Sequence, residues 1–166
     1  MKTLTDHLAQ YAAYHRDTRN IVTHFIGIPM IVVAVAALLA RWELFFFVTF
    51  ADVVFAGACY FYWRLSKGFG IAMFLIMGSL LWTGHAIAAL SETAWWVIGV
   101  GLFILGWFIQ FVGHYYEKRK PAFVDDIVGL LVGPLFLVAE AAFALGMQEP
   151  LRREIEARVG PTLVKA

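Results

Sequence analysis

The side chains in this 166-residue sequence best suited to chemistry are three histidines, His15, His24 and His114, together with the carboxylate Glu117. Neutral imidazoles and carboxylates converging on one point suit zinc, iron or another transition metal. Thiolate ligation is excluded because Cys59 is the only cysteine. His15 and His24 lie nine residues apart, which in one continuous helix would put them on opposite sides. The polar run Arg16-Asp17-Thr18-Arg19-Asn20 is expected to break the helix between them, so that both rings can aim at one place. Trp107, Gln110, His114 and Glu117 recur at spacings of three, four and three and share one helical stripe. Asp125 and Asp126 are further candidate carboxylate ligands.

The elements that must carry these residues belong in a bilayer. The composition is 61% hydrophobic and 15% charged, with a mean hydropathy of +0.75. A soluble domain averages roughly 45–50% apolar and about 25% charged residues, so a soluble monomer, a disordered chain and a disulfide-stapled module are all excluded. A net charge of +1 gives no case for nucleic acid. About 20 apolar residues cross a bilayer, and four stretches meet this, near Ile21–Ala40, Leu44–Trp63, Phe69–Leu90 and Ala94–Tyr115. Asn20 is a plausible N-cap for the first. A fifth stretch, Ala122–Met147, contains Gly133-Pro134, where a re-entrant or interfacial hairpin is expected to turn back. With that turn and the N-terminus inside, 12 of the 13 basic residues fall on the inner side and only Arg41 outside. The expectation is therefore an all-α integral membrane bundle, read as one domain over 1–166. It comprises an amphipathic leader on the inner surface (1–20, with the stripe Leu4, Leu8, Tyr11, His15), four spans (21–115), the hairpin (122–147, with an ordinary fifth span as the alternative) and a cytoplasmic tail (148–166), helical from Leu151 to Val159. The leader has no cleavable signal-peptide pattern.

This topology gathers His15, His24 and His114 on the inner face. His85 stands 16 residues into the third span, about 24 Å along it, and so belongs near the outer face; His7 could reach the site only as an outer group. Ionisable groups within a membrane are costly and mark function. The ligand types alone suit a non-haem iron oxygenase or a hydrolytic zinc site. A small transporter or assembly subunit is the non-enzymatic rival, favoured by Asp52 near mid-depth of the second span. Gly68-Phe69-Gly70 lacks the context of a phosphate loop, and Ser66, Ser79 and Ser91 lie away from the histidines.

Two long motifs carry a resemblance. Tyr14-His15-Arg16-Asp17-Thr18-Arg19-Asn20, continuing through Thr23-His24-Phe25-Ile26-Gly27-Ile28-Pro29, resembles the first motif of the Mpo-type 2-hydroxy fatty acid dioxygenases. Gly106-Trp107-Phe108-Ile109-Gln110-Phe111-Val112-Gly113-His114-Tyr115-Tyr116-Glu117, continuing through Lys120-Pro121-Ala122, is similar to the second. The resemblance covers almost the whole chain. It implies an Fe(II) enzyme that uses O₂ to shorten a 2-hydroxy fatty acid by one carbon. His15, His24 and His114 match its motif histidines, and Asn20, Gln110, Glu117 and Pro121 match surrounding positions. The acyl tail would lie against Phe45–Phe47, Phe108 and Phe111, with Arg119 or Lys118 attracting the carboxylate. Both ends are expected in the cytoplasm, at the inner membrane of a bacterium or the endoplasmic reticulum of a eukaryote, and a homo-oligomer is compatible with the sequence.

Overall fold

Local capping decides where the helices begin. In the computed structural model, which describes residues 2–163, Thr3 and Asp6 form a reciprocal capping box that opens α1 (Leu4–Ala12). Asp17 precedes α2 (Thr18–Leu39) and accepts the Arg19 amide at 2.9 Å, so Asp17 and not Asn20 caps the first long helix. A short antiparallel hairpin follows, β1 (Glu43–Phe45) and β2 (Val48–Thr49). A second capping box, Thr49 with Asp52, then starts α3 (Phe50–Leu65). The remaining helices are α4 (Lys67–Ala88), α5 (Glu92–Glu117), α6 (Gly129–Ala144) and α7 (Glu149–Val159), with a 3-10 turn at Ala122–Val124. The architecture is the expected all-α bundle.

Four details depart from the sequence expectations. Leu44–Thr49 forms the hairpin and not the start of a span, which leaves α3 with 16 residues, about 24 Å of rise. Asp52 is consequently a capping residue in the first turn of α3, not a mid-depth carboxylate, and the observation that favoured a transport path disappears. The last apolar stretch does not turn at Gly133-Pro134: α6 runs through Pro134, and the chain bends by 115° between α6 and α7. Gly146 (φ +73°) and Gln148 (φ +59°) make that bend in left-handed conformations. Finally, the apolar stripe of α1 is covered by protein, since Leu8, Tyr11 and Ala12 are buried and α1 packs on α6 and α7.

Among the described residues three helices, α2, α4 and α5, are long and apolar enough to cross a bilayer; the bent pair α6 and α7 would make up to four if it counts as one broken span. Only 11% of the apolar window of α4 is buried, and Phe74, Leu75 and Trp82 face outward. A surface this apolar is what a membrane protein presents to lipid. The chain divides into two compact units, Met1–Ile26 with Ile109–Ala166, and Gly27–Phe108, with both divisions falling inside helices. In the second unit Gly84 lets α2 and α4 touch, because a Cβ there would fall 2.5 Å from that of Ala36. Arg41 donates to the carbonyls of Ala88, the last residue of α4, and of Leu90 just beyond it, and lies over the Trp95 ring, whose Nε1 donates to Ala37 O.

Candidate metal centre

The first unit holds the three histidines. His15 lies in the break after α1, His24 in the second turn of α2 and His114 in the last turn of α5. All three are buried, and each offers a ring nitrogen such that the three atoms lie within 4.8 Å of one another. Ring centroids are 4.5 Å apart for His15 and His24, 5.1 Å for His15 and His114, and 5.0 Å for His24 and His114. The break between α1 and α2 does what its polar sequence implied, and brings together two rings that one helix would hold apart.

The protons on two of these rings follow from their partners. His15 Nδ1 is 2.8 Å from Tyr11 O, and His24 Nδ1 is 2.8 Å from Asn20 O. A carbonyl oxygen only accepts, so in both rings Nδ1 carries the proton and Nε2 the lone pair. The two Nε2 atoms nevertheless face each other at 3.0 Å. Neutral lone pairs at that distance repel, and a shared cation removes the conflict. His114 Nδ1 is buried with no hydrogen-bond partner among the described residues, which also fits an electrophile bound at this place. Burial, with His24 close by, pushes the His15 imidazole well below its ordinary pKa. The neutral ring is the form that ligates. Tyr11 stacks on His15 (4.1 Å, 4°), and Phe136 closes on the same ring at 5.7 Å, excluding water.

Glu117 does not join the histidine group. Its Oε1 accepts the Arg16 amide (3.1 Å), while its Oε2 accepts the Asp17 amide (2.8 Å) and Asn20 Nδ2 (3.1 Å). It thereby anchors the break that carries His15. Asn20 is buried and links Glu117 to His24 through its side chain and its own carbonyl. Gln110 is buried one turn before His114. Asp125 accepts Tyr14 Oη (2.6 Å) and Lys120 Nζ (2.5 Å), and Asp126 accepts Lys2 Nζ and the Val128 amide, both at 3.0 Å; neither reaches the cluster. Arg119 donates to Ala13 O at the end of α1. His85 pairs with Asp52 at 3.1 Å in the other unit. His7 lines a small cleft with Tyr14 and Asp126. Phe45–Phe47 form the exposed end of the hairpin in the second unit, and Phe111 is exposed on α5.

Sequence reasoning placed Arg16 and Asp17 in the helix break without giving either a role of its own, and did not single out Gly113. A Cβ on Gly113 would collide with Thr23 Oγ1 and Asn20 Oδ1, so this glycine lets α5 approach α2 beside His114. The seven-residue recurrence of Gly99, Gly106 and Gly113 is a readable signal of one packing face. Asp17 is buried and forks onto Arg19 through two bonds, while Arg19 covers the Tyr116 ring at 4.6 Å.

Residues 1–145 match the family model described as "2-hydroxy-palmitic acid dioxygenase Mpo1-like". The chain is 29% identical over 157 residues to the 2-hydroxy-palmitic acid dioxygenase MPO1 of Saccharomyces cerevisiae, covering 92% of this chain and 87% of the relative. No solved structure matches it.

Proposed function

Because this chain belongs to the Mpo1-like family, we propose that it is a membrane-embedded, Fe(II)-dependent dioxygenase that removes one carbon from 2-hydroxy fatty acids. In this reading His15, His24 and His114 hold the iron. The observation that carries the proposal is the pair of facing Nε2 lone pairs 3.0 Å apart, each fixed by a carbonyl behind its own ring. Three imidazoles without a nearby carboxylate or thiolate leave coordination positions open for substrate and O₂.

The net reaction balances without an outside reductant. A 2-hydroxy acid and one O₂ give the acid one carbon shorter, CO₂ and water, with the C1–C2 bond broken and C2 oxidised to a carboxyl. The three rings would hold the iron, which when bound would supply the Lewis acidity and electron transfer that this cleavage requires. The protein's own residues orient and shield. Tyr11 O and Asn20 O hold the two Nδ1 protons and thereby aim the Nε2 atoms, while Tyr11 and Phe136 keep water from the His15 ring. Glu117 and Asn20 act as positioning residues behind the rings. The substrate carboxylate is assigned to Arg119 or Lys118, at the end of α5 that carries His114.

A zinc hydrolase is the second reading, since three histidines are also a zinc ligand set. Anaerobic purification in detergent followed by metal quantification separates the two. The expected result is near-stoichiometric iron, lost on His114→Ala, together with O₂ consumption and a product one carbon shorter from 2-hydroxypalmitate. Full iron retention in all three histidine-to-alanine variants would sink the site, and activity restored by zinc alone would favour the hydrolase.

A further inference from the structure

The break that carries His15 is irregular backbone in a buried place, where every amide and carbonyl needs a partner. Tracing them identifies what holds it. The amides of Tyr14 and His15 bond back to Tyr11 O and Ala12 O, and those of Arg16 and Asp17 go to Glu117. Ala13 O is taken by Arg119, Tyr14 O by Asn20 Nδ2, His15 O by Arg16 Nε and Asp17 O by the Ile21 amide. Two groups remain, Arg16 O and the Thr18 amide, and one residue far along the chain satisfies both. Leu163 N donates to Arg16 O at 2.7 Å, and Leu163 O accepts the Thr18 amide at 3.2 Å and Thr18 Oγ1 at 3.1 Å, a parallel bridge beside Asp17. Gly160 (φ +83°) ends α7 and redirects the chain toward this bridge, and its carbonyl accepts Arg16 Nη1 at 2.8 Å. Arg16 in turn lies 4.0 Å from Glu140 of α6.

We propose that Gly160–Leu163 is a positioning strap of the metal centre: by completing the backbone bonds of Arg16 and Thr18 it fixes the His15 ring against His24 and His114. Residues 160–163 are then a working part of the site. Its purpose as a metal device rests on the proposed iron centre; its hold on His15 does not. The Leu163 side chain is half exposed, so the strap acts through backbone groups, and this separates it from ordinary packing.

The test uses three variants of the full-length protein in detergent: Leu163→Pro, which removes the one amide that Arg16 O uses, Leu163→Ala, which keeps it, and a stop after Gly160. Carbethoxylation of His15, followed by mass spectrometry, reads the ring's release, bound iron reads the centre, and circular dichroism verifies the helices. Leu163→Pro and the truncation are expected to raise His15 labelling at least tenfold and to lower iron retention about tenfold, with Leu163→Ala unchanged. His15 protected as in the parent protein in both disruptive variants would overturn the strap, as would Leu163→Ala behaving like Leu163→Pro. Iron absent from the parent protein, with the labelling pattern as expected, would support the strap and reject the iron reading.

Discussion

At the scale of the residue, Glu117 shows how one carboxylate can serve a histidine cluster without joining it. Two backbone amides and the Asn20 side chain all point donors at it, and hydrogen bonds to a charged acceptor are worth about 1.5–3 kcal/mol each. Glu117→Gln replaces one acceptor oxygen by a donor and sets it against donors already present. The expected outcome is destabilisation of about 2–3 kcal/mol and weaker iron retention. The electronic spectrum of a cobalt-substituted sample should stay unchanged, because the ligand set is intact. A changed ligand-field spectrum would make Glu117 a ligand. The convergence of His15, His24 and His114 was legible in the sequence because spacing and a polar break are sequence properties. The task of Glu117 was not, because its partners Arg16 and Asp17 act through backbone amides that every residue except proline possesses.

At the scale of the element, the same distinction separates what could be read from what could not. The long runs that became α2, α4 and α5 are set by length and hydropathy, and their helices lie within a few residues of the expected bounds. The hairpin was missed because Leu-Phe-Phe-Phe-Val-Thr is apolar enough to pass as helix, although Thr49 three residues before Asp52 is a capping-box signature that marks the true start of α3. Pro134 was overweighted as a breaker: it costs the single bond to Leu130 O, whereas Gly146 followed by Pro150 carries the stronger stop signal. Packing between elements yields a prediction at Gly113, where an added methyl would strike Asn20 and Thr23. Gly113→Ala should cost about 1–3 kcal/mol as an overpacked contact and lower iron occupancy, since His114 is the next residue. Gly101→Ala, with nothing near its Cβ, should leave both thermal unfolding and iron content unchanged.

At the scale of the whole molecule, the basic-residue asymmetry of the sequence leads us to propose an orientation that single-cysteine labelling can test. In a Cys59→Ala background, cysteines replacing Lys2 and Lys118 are expected to react with an impermeant maleimide from the cytoplasmic side, and one replacing Glu43 from the opposite side. Lys2 and Lys118 labelled from opposite sides would overturn the shared-face arrangement and require an odd number of crossings between them. The expectation follows from alternating passage of α2, α3, α4 and α5. For α3 a crossing would need a locally thinned bilayer, because its 16 helical residues rise only about 24 Å.

The long reach of the contacts around His15 bears on when the site comes into being. Asp17 meets Glu117 across 100 residues, and Thr18 meets Leu163 across 145. His15 and His24 are synthesised early, but their third partner follows only after the intervening helices have been made, and the bridge to Arg16 and Thr18 forms later still. A chain emerging from the ribosome therefore presents, for most of its synthesis, a pair of histidines with no organised centre. In the proposed dioxygenase such an order would withhold O₂ chemistry from the nascent polypeptide until the surrounding protein is in place to contain it.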